Sequence, residues 1–182
     1  GRLKYELGGG TFNEAVSVLQ SYIERYPDSP YIPEVKTILI AAYHNSQNYD
    51  STYTAIKELQ NPDGEIKKTL QRVSILRAIE AIKSGDWDAA DVLLKESEQL
   101  NIDARYTALT SYWQGEVAYA KGDMQLAKQK YSDYIRRVPR NSNDIEIGMA
   151  HYGAGYANLG LEDMQSAETS FETFVRDYAY RD

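Results

Sequence analysis

Large, small and large side chains recur in a fixed order along this chain, separated by polar positions. In each copy a bulky residue is followed three positions later by a small one, and a second large apolar or aromatic residue follows four positions after that. The leading residues are separated by 37, 38, 37 and 40 positions, so one structural unit recurs along nearly the whole chain. Such units bury their apolar faces only against their neighbours. The copies are Phe12-Ala15-Leu19, Tyr49-Thr52-Ile56, Trp87-Ala90-Leu94, Met124-Ala127-Tyr131 and Met164-Ala167-Phe171.

Within each unit the apolar residues follow a helical period, as Ile75, Ile79 and Ile82 illustrate. Glycines Gly85, Gly122 and Gly160 precede the second apolar segment of a unit, and the prolines lie mostly between units. Each unit is therefore predicted to be a helix, a tight turn and a second helix, with no strand. The predicted helices span residues 2–9, 12–26, 33–47, 50–60, 66–84, 87–99, 104–121, 124–138, 145–160 and 163–178.

Polar residues at the predicted helix starts support these segments. Thr11 and Glu14 have the spacing of a capping box, and Asp50, Asp86 and Asp123 are placed to accept free amides of a first turn. The chain is thus predicted to be an all-α solenoid of antiparallel helix hairpins that forms one domain, residues 1–182. Its five units, the first incomplete, are residues 1–32, 33–65, 66–103, 104–144 and 145–182.

The fourth unit carries small, aromatic and proline residues in the order of a known repeat. Gly115 lies early in its first helix, Gly122 lies in the turn, Ala127 and Tyr131 lie in its second helix, and Pro139 closes it. This arrangement resembles the tetratricopeptide repeat, which implies a right-handed superhelix that binds a protein or peptide. Other units depart from it: the second has Thr52 for the alanine, the third lacks the proline, and the fifth aligns on either Gly153 or Gly155.

A second resemblance concerns the segment between the first two units. Residues 22–34 contain three prolines after a Tyr-Ile-Glu-Arg-Tyr run, and prolines stiffen the exit from a helix. The segment is similar to the inter-repeat segment of bacterial cell-envelope tetratricopeptide proteins, including outer-membrane assembly lipoproteins and Tol-Pal-associated proteins. This implies a periplasmic or outer-membrane-associated location. The absence of cysteine is equally consistent with the cytoplasm.

Composition and charge argue against several function classes. The chain has a formal net charge of −7 and no basic block, so a phosphate backbone would be repelled and no nucleic acid is expected. The longest apolar run, residues 38–43, is too short to span a bilayer. The histidines His44 and His151 lie in different units without a nucleophile beside them, which argues against an enzyme. The acidic run 86–91 lacks the glycine of a calcium loop, and no metal or cofactor is predicted.

The tetratricopeptide resemblance also implies candidate binding residues, because the first helix of each unit lines the concave face of such stacks. Tyrosine offers apolar area and a hydroxyl at modest entropic cost, which suits a peptide groove. The alternative is that these rings fill interfaces between repeats. The candidates are Leu109, Tyr112, Glu116 and Tyr119 in the fourth unit, Arg72, Ile75, Ile79 and Lys83 in the third, Glu34, Thr37 and His44 in the second, and Tyr152 and Tyr156 or smaller residues in the fifth, depending on its alignment.

The sequence therefore favours a non-enzymatic scaffold or adaptor that binds a peptide or protein in its concave groove. The alternative is a glycan-binding module of an outer-membrane nutrient-uptake system, because such lipoproteins carry similar repeats and use exposed aromatic residues. The predicted first helix, which carries Leu3 and Leu7, lacks its preceding turn. No helix is predicted after Tyr178 to cover Phe171 and Val175. Since repeat arrays need polar caps, we expect further repeats or self-association at the ends.

Overall fold

The structure, a computed structural model, describes residues 15–45, 47–59, 61–139 and 144–179, and all regular secondary structure in these ranges is helical. Successive helices pack against each other along the chain. This confirms the predicted helical solenoid. The helices are α1 (15–25), α2 (Ile32–Asn45), α3 (Tyr49–Lys57), α4 (Gly64–Lys83), α5 (Trp87–Leu100), α6 (Ala104–Ala120), α7 (Met124–Arg137), α8 (Ile145–Gly160) and α9 (Met164–Asp177).

The helix bounds from α2 to α9 lie within three residues of those that the apolar period predicts. The largest difference is at the end of α3, which finishes at Lys57, ahead of the loop that carries Pro62. The predicted helix over residues 2–9 and the predicted capping box of Thr11 and Glu14 lie outside the described residues.

The turn inside each of the last four units contains one residue with a left-handed backbone conformation, two positions before the second helix. These residues are Gln47 (φ 59°), Gly85 (φ 78°), Gly122 (φ 82°) and Glu162 (φ 60°). Glycine adopts this conformation without a steric penalty, which explains two of the four. Gly160 precedes the second helix of the fifth unit as predicted and is the last residue of α8, so the left-handed residue of this turn is Glu162.

A short polar side chain caps the second helix of each of these units. The Asp86 and Asp123 carboxylates accept the amides of Ala89 and Leu126, as predicted. The prediction for Asp50 is wrong, because α3 begins one residue earlier and Asn48 is its cap. Asp50 instead accepts from Arg77 Nε of α4 at 2.6 Å.

The core is built where small residues let neighbouring helices approach closely. Ala90 and Ala127, the small residues of the repeated pattern, are fully buried. A Cβ atom on Gly115 would lie 2.8 Å from the Tyr131 ring, and one on Gly155 would lie 2.5 Å from the Phe171 ring. Since Phe171 follows Tyr131 by 40 positions, as Gly155 follows Gly115, the fifth unit aligns on Gly155.

The two helix sets of the stack are unequally spaced. The backbone of α4 approaches that of α6, and α6 in turn approaches α8, so the first helices of successive units contact each other. Among the described residues the second helices, α5, α7 and α9, are more widely separated from one another. The first helices therefore form the inner side of the stack.

Candidate functional site

A stripe of exposed apolar and aromatic side chains runs along the inner face of α8. Met149, Tyr152, Tyr156 and Leu159 have exposed fractions between 38% and 42%. Their spacings of three and four residues keep them on one face of the helix. Tyr119 of α6, the inner helix that contacts α8, is 37% exposed. We call these five residues the inner stripe.

The two tyrosines of α8 form a fixed pair at the centre of the inner stripe. Their ring centroids lie 4.9 Å apart in an edge-to-face arrangement, and the Tyr152 hydroxyl donates to that of Tyr156 at 3.1 Å. This hydrogen bond raises the pKa of Tyr152, and the nearby Tyr119 adds to the effect. The pair presents apolar ring area next to hydroxyls that both donate and accept, which suits contact with a peptide.

Two of the predicted groove residues lie in the core instead. Tyr112 is 6% exposed and packs against Trp113, Tyr131 and Tyr134, with ring centroids 5.0, 6.2 and 5.5 Å away. Burial raises the pKa of its phenol, and the Glu116 carboxylate raises it further. The expected exposure of Tyr112 is therefore wrong, because α7 and the following unit cover this position.

Ile75 is the second correction, since it is 1% exposed and offers no surface to a partner. Ile79 and Leu109 are half-buried, and Leu109 packs against the core between α6, α7 and α8. Ile79 and Leu109 therefore each contribute only part of their side-chain surface to the inner face. Arg72 is exposed, and its Nη1 donates to His44 Nε2 at 3.2 Å, which links the inner faces of α2 and α4.

Glu116 is an acidic residue of α6, the inner helix of the fourth unit. Its carboxylate accepts from the Tyr131 hydroxyl at 2.8 Å and is half-buried. The hydrogen bond holds the carboxylate in place between two buried tyrosines, so its charge is fixed near the surface of the groove. The described inner face thus combines an aromatic stripe on α8 with a positioned carboxylate on α6.

The geometry offers little support for metal or acid–base chemistry. Burial lowers the pKa of both His44 and His151, and the two lie on separate helices, α2 and α8. In the described ranges no group of three or more His, Cys, Asp and Glu side chains is placed to hold a metal ion. Nor is any described helix both long enough and apolar enough to cross a bilayer.

Sequence reasoning missed Met149 and Leu159 as members of the inner stripe. The available signal was the shift of 40 positions between the fourth and fifth units, which carries Leu109 onto Met149 and Tyr119 onto Leu159. Choosing between Gly153 and Gly155 required contacts that the sequence does not show. Gly153 faces Tyr131 of the preceding unit, where an added Cβ would lie 2.6 Å from the ring.

Comparison with known proteins agrees with this architecture. The tetratricopeptide repeat family model matches residues 1–29 and 110–141, which supports a tetratricopeptide repeat protein, a family that generally mediates protein–protein interaction. None of the curated proteins matches the chain. The crystal structure of BtubC (BKLC) from P. vanneervenii is similar, with a TM-score of 0.53 and 11% sequence identity over 96% of this chain and 91% of that chain. At this identity the likeness shows the fold alone.

Proposed function

We propose that this protein is a non-enzymatic scaffold that binds a peptide or protein in the groove formed by its inner helices. The observation that carries the proposal is that Tyr119 on α6 and Tyr156 on α8 remain exposed on adjacent inner helices, with Tyr156 held in place by its hydrogen bond from Tyr152. Isolated exposed apolar residues are ordinary on protein surfaces, but a contiguous set on a concave face is typical of interaction sites.

The inner stripe favours a partner with apolar or aromatic anchors. Tyrosine is enriched among the residues that dominate binding energy, and the Tyr152–Tyr156 pair is already ordered by its hydrogen bond. An ordered pair loses little side-chain entropy on binding. The Glu116 carboxylate beside the stripe favours a donor or a basic group on the partner at that point.

The proposed setting is the bacterial cell envelope, in the periplasm or at the outer membrane. It rests on the similarity of residues 22–34 to the inter-repeat segment of envelope proteins. Fractionation of cells that express the natural full-length protein tests this part of the proposal. Recovery with the cytoplasmic fraction alone would contradict it and leave the groove proposal unaffected.

Selection of displayed peptides against the chain, followed by fluorescence polarisation with the selected peptides, tests groove binding. The double substitution Tyr119→Ala and Tyr156→Ala should lower affinity about tenfold or more, since each ring is an anchor of the stripe. Circular dichroism should show largely unchanged helicity, because the two rings are 37% and 40% exposed and lie outside the buried core, although Tyr156 also contacts the rings of Tyr152 and Phe171.

The matched control is Tyr31→Ala, which removes a ring that is 62% exposed and lies outside the inner helices, just before α2. This control should leave affinity unchanged. Equal losses in the control and in the double variant would contradict a site on the inner face. Binding of soluble glycans, with no peptide selected, would favour the alternative of a glycan-binding module.

A further inference from the structure

The Tyr131 side chain of α7 reaches into the seam between α6 and α8, where these two inner helices contact each other. A Cβ on Gly115 of α6 would lie 2.8 Å from the Tyr131 ring, and one on Gly153 of α8 would lie 2.6 Å from its Cζ atom. The ring thus fills the space that the two glycines leave, and its hydroxyl donates to Glu116 Oε1 of α6 at 2.8 Å. Tyr131 is 1% exposed, whereas Glu116 is half-buried. The hydroxyl therefore holds the Glu116 carboxylate at the seam.

The repeated pattern of the chain shows that packing requires neither this hydroxyl nor this carboxylate. The third and fifth units have residues without a hydroxyl in the place of Tyr131 and residues without a carboxylate in the place of Glu116. These residues are Leu94 and Ile79 in the third unit and Phe171 and Tyr156 in the fifth. Leu94 is fully buried in its own core cluster. Of these three units, only the fourth has the hydrogen-bonded polar pair.

The Glu116 carboxylate has no basic partner among the described residues. Another partly buried carboxylate, that of Glu96, does have one, since it pairs with Lys57 at 2.7 Å. The Tyr131 hydroxyl occupies only one of about four acceptor positions of the Glu116 carboxylate. A partly desolvated charge is stabilised when an opposite charge binds beside it. The remaining acceptor positions therefore suit a cation that the described part of the chain does not supply.

Exposed tyrosine rings lie one helical turn further along on both inner helices. Tyr119 follows Glu116 by three positions on α6, and Tyr156 follows Gly153 by three positions on α8. Their exposed fractions are 37% and 40%. The face of a tyrosine ring attracts a cation. A carboxylate with neighbouring rings matches a lysine or arginine side chain, which has an apolar stem and a charged end.

We propose that Glu116 and Tyr119 form a subsite of the groove that receives a lysine or arginine side chain of the bound peptide or protein. Tyr131 is a positioning residue, because its hydroxyl holds the carboxylate at the seam. This inference rests on the proposed function of the groove, and it adds the requirement of a basic residue beside the apolar or aromatic anchors of the partner. The formal net charge of −7 favours the approach of such a partner.

The test uses the whole chain and the peptides selected by display for binding to it. Each lysine or arginine of a selected peptide is replaced in turn by norleucine, which keeps an apolar stem and removes the charge. In the chain, Glu116→Gln removes the charge but keeps an oxygen that accepts from the Tyr131 hydroxyl. In fluorescence polarisation, Glu116→Gln should weaken the unchanged peptide about fivefold or more, the effect of losing a partly desolvated charge pair, and should leave one norleucine peptide unaffected.

The substitution Tyr131→Phe tests the positioning role. It should retain the helicity measured by circular dichroism, because Phe171 fills the equivalent place in the fifth unit. It should weaken the unchanged peptide more than the norleucine peptide, a difference that a purely structural role would not produce. The matched control is Glu58→Gln, at an exposed position directly after α3, and it should leave both affinities unchanged.

Two results would overturn the subsite: selected peptides that lack lysine and arginine, or an effect of Glu116→Gln that is equal for the unchanged and norleucine peptides. If affinity in those cases still falls in the double variant Tyr119→Ala and Tyr156→Ala, only the subsite fails and the groove proposal stands. If no peptide binds, or if binding responds to neither Glu116→Gln nor the double variant, both proposals fail.

Discussion

Individual small residues determine how closely the helices of this protein pack. Ala127 and Ala167 occupy the same place in successive units and have exposed fractions of 0% and 1%. Gly115 and Gly155 face the rings of Tyr131 and Phe171, where even a methyl group would clash. The stack is therefore built on pairs of one small and one large residue, and neither member tolerates a change of volume.

Enlarging these alanines should destabilise the protein. Ala127→Leu and Ala167→Leu should each lower the free energy of unfolding by about 1–3 kcal/mol, because the added atoms have no space in a packed core. Ala120→Leu, at an exposed position of α6, is the matched control and should have little effect. Thermal and urea unfolding followed by circular dichroism measure the difference. Unchanged stability in both core variants would show that the helices do not pack in this register.

The sequence predicts these small residues because they recur at a fixed place in the repeated pattern. It does not predict that Tyr112 is buried while Tyr152, 40 positions later, is 38% exposed. Both residues occupy the same place in their units. Their exposure differs because a following helix, α8, packs over the fourth unit, whereas no described helix packs over the fifth. Helical period alone contains no information about such neighbours.

At the scale of helices and loops, a buried polar side chain connects α4 to the loop before α6. Gln71 is fully buried, its Oε1 accepts from the amides of Ile102 and Asp103, and its Nε2 donates to Thr107 Oγ1. The two amide contacts are 3.2 and 2.9 Å long. Gln71 thus supplies hydrogen bonds to backbone groups that the loop leaves without a helical partner.

Replacing this glutamine should have a larger effect than its small change in volume suggests. Gln71→Met keeps the length of the side chain but leaves two backbone amides without their acceptor. We expect a loss of about 1–3 kcal/mol in the free energy of unfolding. Urea unfolding measures it, and Gln125→Met, at an exposed site of α7, is the control. A loss no greater than that of the control would mean that water replaces the glutamine oxygen.

Local signals predict the helices well and the turns less completely. Asp86 and Asp123 cap their helices as expected, whereas the cap of α3 is Asn48, one position before the helix, and the left-handed residue of the last turn is Glu162. In both units the turn geometry repeats while the residue type does not. A non-glycine residue at a left-handed position is stabilised by its surroundings, and sequence preference gives no signal for it.

At the scale of the whole molecule, the packing is that of a one-dimensional stack. Helix α6 contacts α4, α5, α7 and α8, whereas α9 contacts α8 and α3 contacts α2 and α4. Among the described residues, the helices that pack closely against each other belong to the same unit or to neighbouring units, so stability comes from each unit and from its interfaces with neighbours. The described middle of the stack therefore has more supporting interfaces than the parts on either side.

This arrangement predicts a gradient of local stability along the chain. Native-state hydrogen exchange should give the slowest amides in α6 and α7, which have neighbours on both sides, and faster exchange in α3 and α9. The differences arise because opening α9 breaks one interface, while opening α6 breaks the contacts to four helices. Mass spectrometry of exchanged peptides resolves these segments.

The substitution Ala127→Leu is an internal check on this prediction, because it weakens the centre of the stack without altering α9 itself. In a nearest-neighbour stack it should speed exchange most in α6, α7 and α8, with a smaller effect in α3. If all described helices instead exchange at one rate, and that rate changes equally everywhere in the variant, the chain opens as a single cooperative unit. That result would contradict the prediction that each unit and its interfaces with its neighbours determine local stability. The fold itself would be unchanged.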